Sequence, residues 1–219
     1  MTSEKKYRLV TRSDFDGLVC AVIFKELDMI DDIKFVHPKD MQDGIIEITD
    51  RDITTNLPYV EGVYLAFDHH LSETIRNKGM KENHIIDPDA PSAARVVYDY
   101  YGGDEVYPMR FVGMMNGANK ADSADFTMED ILEPRAWALL SFIMDSRTGL
   151  GRFKDFEVSN KQLMRNLIDY CAKHNIDEIL EIEEVKQRVD LYFKYEKEFH
   201  EQLKKCTKIY ENVAVIDYK

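Results

Sequence analysis

Asp68, His69 and His70 follow directly on the apolar run Val63–Phe67, VYLAF. A buried strand ending there carries three side chains able to bind a cation or move a proton to its carboxyl end, where open α/β sheets bind their ligands. Adjacent residues on an extended segment point in opposite directions, so one histidine can face a metal while the other meets substrate. A His-His pair alone on a loop is usually just solvated; the strand before this one argues for a site. Asp14-Phe15-Asp16-Gly17 repeats the arrangement after Tyr7–Thr11. Two carboxylates at i and i+2 after a strand can project into one site, and Gly17 permits a sharp turn into the next element.

Two further acids sit at similar places. Asp50 ends the run Ile45–Thr49, with Asp52 as a competing candidate, and Asp145 follows the apolar Phe142–Met144. Behind Asp145 comes SRTGLGRF, in which Arg147 and Arg152 can pair with phosphate oxygens and backbone N–H groups can add to the cradle. Each piece has an ordinary reading as a turn acid or helix-ending loop. Together, Asp14, Asp16, Asp50, His69 and Asp145 make a carboxylate-rich set with one imidazole and no thiolate, suited to one or two Mn²⁺ or Mg²⁺ ions. A carboxylate shared by two ions would accompany a bridging hydroxide that attacks phosphorus in line.

The elements that must position these residues alternate. Strands are expected at Tyr7–Thr11, Ile33–His37, Ile45–Thr49, Val63–Phe67 and His84–Ile86, with a buried helix over Leu18–Leu27 and another over Pro91–Tyr101. This βα alternation predicts an α/β fold with a Rossmann-like, mostly parallel five-stranded sheet flanked by helices. Helical periodicity then takes over in Met109–Ala121, Met128–Asp145 and Ser159–Lys173, with Thr127/Asp130 and Ser159/Gln162 as capping boxes. A long final helix is expected over about Glu183–Lys208. Its apolar positions step by three and four, which suits packing across the domain or, less readily, a coiled-coil seam in a homodimer. Asn212–Tyr218 reads as a last strand. The expected division is a catalytic unit over 1–182, helical in its second half, and a connecting helix with the start of a strand over 183–219.

The 219 residues are 44% hydrophobic, enough for a real core, with a net charge of −12. That charge argues against a protein that coats nucleic acid or anionic membrane. The three cysteines lack CxxC spacing, and the N-terminus lacks an apolar leader, so a cytoplasmic protein is expected.

The succession DFDG, ITD, FDHH and MDSRTGLGRF resembles the DHH family of phosphoesterases, closest to its exopolyphosphatase-related members, over essentially the whole chain as that family's N-terminal catalytic domain. The resemblance implies that Asp14 and Asp16 hold one metal each and that Asp50 bridges them. His69 and Asp145 would complete the second site. His70 would contact the scissile phosphate, with Arg147 as its catalytic companion, and Asp68 would orient a histidine. It also places Asn119, Asp122 and Asp125 near the site. Two departures stand out: no histidine precedes Asp14, where Val10-Thr11-Arg12-Ser13 occurs and Arg12 could meet phosphate instead, and no glycine-rich GGGH-type motif of a second, substrate-gripping domain is found. The expected function is therefore a metal-dependent phosphoesterase cutting phosphodiester or phosphoanhydride bonds of short oligonucleotides, nucleotides or polyphosphate. The alternative is a catalytically weak nucleotide- or metal-binding sensor. An aspartyl-nucleophile phosphatase of the haloacid-dehalogenase type would leave the Asp-His-His triplet unexplained.

Overall fold

The computed structural model describes residues 6–77, 79, 81–145 and 155–217. Five parallel strands, β1 (Tyr7–Arg12), β2 (Ile30–Val36), β3 (Asp52–Thr55), β4 (Leu65–Asp68) and β5 (His84–Ile86), pair in the order β2-β1-β3-β4-β5. The chain leaves β1 toward one edge and returns to build β3 on its other side. The order therefore reverses between β1 and β3, and a crevice forms at their carboxyl ends.

Helix α1 (Phe15–Glu26) fills the layer behind that crevice, and the short helices α2 (Pro38–Gln42) and α3 (Leu71–Arg76) follow β2 and β4. Its residues from Phe15 to Phe24 are all buried, because its sequence is apolar on every side. One side meets the sheet, where Phe24 lies 5.8 Å from Phe67 ring to ring. The other sides pack on α4 (Ala93–Tyr100), α5 (Arg110–Asp122) and α8 (Asn160–Lys173). Gly17 at its start has no substitute: a Cβ there would lie 2.0 Å from the Arg12 carbonyl oxygen and 2.7 Å from Thr11 Oγ1. The turn is so tight that β1 and α1 touch backbone to backbone, which throws Asp14 and Asp16 into the crevice.

The third strand is not Ile45–Thr49. Residues 45–50 form no strand, and Ile45 is exposed. The β-branched run Ile53-Thr54-Thr55 takes the place instead, because its flanking Asp52 is anchored against β1. Arg8 Nε and Nη2 lie 2.6 and 2.9 Å from the two Asp52 oxygens, in register with the Arg8–Asp52 pairing of the strands. The expected single helix over 128–145 is split into α6 (Met128–Leu132) and α7 (Ala136–Met144) around Pro134, which cannot continue a helix. Thr127 and Asp130 form the reciprocal capping box, while Ser159 caps α8 through Gln162 N alone.

After α9 (Ile176–Glu181), the long helix α10 (Glu183–Cys206) buries only Val185 and Arg188 fully. Beyond it the last strand is paired. β6 (Thr207–Tyr210) and β7 (Val213–Ile216) form an antiparallel hairpin whose first strand the helical periodicity concealed. Among the described residues, no helix is long and apolar enough to cross a membrane.

Candidate active site

Asp14 caps α1, and its Oδ1 accepts from Gly17 N at 2.9 Å. Its Oδ2 lies 2.9 Å from Arg12 Nε and 3.5 Å from Asn56 Nδ2. Asp16 is 2% exposed and accepts from the Ala94 and Ala93 amides at 2.8 and 3.2 Å, at the start of α4. A carboxylate buried this deeply is tolerated because two backbone donors compensate its lost water.

His69 and His70 follow β4 and diverge. His69 Nδ1 lies 3.1 Å from the Ala90 carbonyl oxygen, which accepts its proton and leaves Nε2 to face inward. There Nε2 is 2.7 Å from Asp122 Oδ2, at the end of α5. Yet Nε2 has no aligned hydrogen-bond partner. His70 turns the other way. Asp68 Oδ1 accepts from His70 Nδ1 at 2.7 Å and from the His69 and His70 amides at 2.8 and 3.2 Å.

Asp16, His69 and Asp122 each present a ligand atom within 4.8 Å of the others. This set fits a divalent cation. An imidazole whose far nitrogen donates to a carbonyl has the tautomer of a metal ligand, and two carboxylates with one neutral imidazole suit Mn²⁺ or Mg²⁺. Close approach of Nε2 and Oδ2 without an aligned N–H is what two lone-pair donors show when they converge on one cation. Asp68, His69 and His70 also lie close enough together, but Asp68 and the Nδ1 of His70 are already spent on each other.

The electrostatics carry the strain of these gathered acids. Burial pushes the Asp16 carboxyl up, and the nearby Asp122 and Asp14 push it further. Burial likewise raises Asp14, with Asp122 and Asp145 adding to it against the Gly17 amide and Arg12. Burial opposes protonation of His69, but Asp122 and Asp16 outweigh it and lift the imidazole to about 9.

The structure thus gathers Asp14, Asp16, His69 and Asp122, with Asp145, at the end of α7, close enough to act electrostatically on Asp14. Asp50 is not among them. It precedes β3, is exposed, and acts on Tyr7 at the start of β1. The six residues of β1 separate that end from Asp14 by roughly 20 Å. The residue that ends β3 at the crevice is Asn56, which is 2% exposed with no partner for its Oδ1. The sequence does not single it out, because Ile45–Thr49 carries the same β-branched pattern one segment earlier. Asp125 is exposed and outside the cluster, whereas Asn119 accepts from the Ser92 hydroxyl that caps α4. Arg147 and Arg152 lie outside the described residues. No signal in the local pattern singled out the Ala90 carbonyl.

The fold and site define an α/β protein with an acidic, imidazole-bearing centre at the switch point of a doubly wound sheet. Neither a scan of protein-family models nor a search of curated proteins finds a match. Among solved structures, the chain is similar to a pGpG-specific phosphodiesterase, PggH from Vibrio cholerae, with 55% identity and a TM-score of 0.89. The match covers 96% of this chain and 68% of that one. The chain belongs to the phosphodiesterase family that PggH represents.

Proposed function

We propose that this protein is a DHH-type phosphodiesterase that hydrolyses short 5′-phosphorylated oligonucleotides such as pGpG, using Mn²⁺ or Mg²⁺ held by Asp16, His69 and Asp122. The observation that carries the reading is the convergence of those three ligand atoms within 4.8 Å, in a chain 55% identical to a pGpG-specific phosphodiesterase. Asp14 and Asp145 stand ready to hold a second ion or to orient water. When bound, the cation would polarise a phosphoryl oxygen and make an attacking water more acidic.

The chain's own groups do the positioning. The Ala93 and Ala94 amides hold Asp16, and the Ala90 carbonyl fixes the tautomer of His69. Asp68 engages Nδ1 of His70 and raises the imidazole's pKa, so Nε2 can donate a proton to a phosphate oxygen or to the leaving group. Arg12, and with it Arg147 and Arg152, would balance phosphate charge. The protein would work in the cytoplasm on a small substrate, since the acidic chain has no basic stripe to hold long nucleic acid.

Hydrolysis of pGpG, followed chromatographically across Mn²⁺ and Mg²⁺ concentrations, tests this reading. Activity lost in Asp16→Asn and His69→Ala supports it; activity retained in both, or unaffected by chelation, refutes it. One observation favours a second reading, a nucleotide sensor with weak turnover: a neutral amide, Asn56, ends β3 where a bridging carboxylate was expected. Tight pGpG binding without cleavage by the wild-type protein at saturating Mn²⁺ would favour the sensor.

A further inference from the structure

Beside the metal-ligand cluster lies a cleft of about 130 Å³ onto which both Arg12 and Arg76 open. Its size is well below the ~300–1,000 Å³ of pockets that enclose a whole small-molecule ligand. It suits one group of a substrate. His70 and Asn56 also line it, so whatever enters the cleft is next to the proposed reaction centre.

The two guanidiniums are held in place but not used up. Arg76 Nη1 lies 2.8 Å from Glu73 Oε1, and Arg12 Nε lies 2.9 Å from Asp14 Oδ2. Each arginine carries five N–H donors, and among the described residues neither has another hydrogen bond or ion pair. Both side chains are nearly half-exposed, at 47% and 44%. The carboxylates in the cleft wall are occupied from behind. Glu73, 3% exposed, accepts from the Tyr59 amide at 3.1 Å and from Asn77 Nδ2 at 3.2 Å, besides pairing with Arg76. Asp68 is committed through Oδ1 to the His69 and His70 donors. Among the lining residues, Asn56 is buried and its Oδ1 has no partner, while Gln42 and Ser72 are exposed. The site therefore offers several uncommitted guanidinium donors and a buried acceptor that needs a hydroxyl or N–H. A phosphomonoester attached to a ribose supplies the complement of both.

We propose that Arg76, with Arg12, forms a subsite for the terminal 5′-phosphate of the dinucleotide and makes the enzyme prefer 5′-phosphorylated substrates. This rests on the phosphodiesterase reading above. Arg76 is the specificity-determining residue, because Arg12 is tied to the metal-ligand cluster through Asp14 while Arg76 is not.

The test compares pGpG with GpG, which lacks only the terminal phosphate, by kcat/KM and by calorimetric binding, in wild type, Arg76→Gln and Arg76→Lys. Wild type should prefer pGpG, and Arg76→Gln should shrink that preference about tenfold or more, chiefly through KM, since a charge-assisted hydrogen-bond pair is lost. Arg76→Lys should retain part of it. A preference unchanged in Arg76→Gln, or a wild type that treats pGpG and GpG alike, overturns the subsite. If wild type cleaves neither compound, the phosphodiesterase reading fails and the calorimetric comparison still decides: tighter binding of pGpG that depends on Arg76 supports the subsite, and equal binding overturns it.

Discussion

The Nδ1 atom of His69 lies 3.1 Å from the carbonyl oxygen of Ala90, and this one contact aims the opposite nitrogen at Asp122, 2.7 Å away. Ala90 belongs to the loop between β5 and α4, the same loop that leads to the Ala93 and Ala94 amides gripping Asp16. A single connection therefore orients two members of the proposed ligand set.

Removing the third member isolates its contribution. Asp122→Asn keeps the shape but withdraws the charge, and Mn²⁺ affinity should drop at least about tenfold. Calorimetric titration of metal-stripped protein measures it. An affinity equal to wild type would take Asp122 out of the set.

The pH dependence follows from the raised pKa values. Without metal, folded His69 titrates near 9 rather than 6.5, and Asp14 and Asp16 are raised too. The folded state thus binds protons more tightly than the unfolded one, so stability declines as pH rises. The His69 contribution is fully present below about 6.5 and is lost as pH passes through about 9. A divalent cation bound at the proposed site would take the place of that proton and offset the repulsion. Melting temperature should therefore fall between these limits in metal-free protein, and the increase produced by Mn²⁺ should be larger near pH 9 than near pH 6.5. A slope unchanged in His69→Gln would count against this assignment.

Asn56, and not Asp50, stands beside Asp14 at the carboxyl end of β3. Asp50→Ala should leave Mn²⁺ affinity within about twofold, as for an exposed residue remote from the site. Asn56→Asp adds a carboxylate beside Asp14; it should strengthen Mn²⁺ binding and lower the melting temperature of the metal-free protein by like-charge repulsion. Titration and thermal melts of the two variants check both, and a large loss of affinity in Asp50→Ala would contradict the observed register of β3.

Gly17→Ala should cost about 2 kcal/mol or more, since its Cβ would meet the Arg12 carbonyl oxygen at 2.0 Å and backbone must move. Urea unfolding gives the value. Because the same movement shifts Asp14 and Asp16, metal affinity should fall with stability.

Much of this protein is written locally. β1, β2, β4 and β5 lie within a few residues of where alternation and β-branching put them, since a buried parallel strand needs a short apolar run and nothing remote. The acids of Asp14-Phe15-Asp16-Gly17 and the Asp68-His69-His70 triplet follow strands for the same reason, and the apolar Leu18–Phe24 run reads as a buried helix. Tertiary structure decided the rest. Two β-branched runs competed for β3, and the Arg8–Asp52 pair, visible only once β1 and β3 are side by side, selected the second and put Asn56 rather than Asp50 at the crevice. Asp122 reaches His69 across more than fifty residues because α5 packs on α1. Local pattern determines which backbone conformation a segment prefers; which side chains meet depends on register and helix packing, and those are fixed only by contacts between segments distant in the chain.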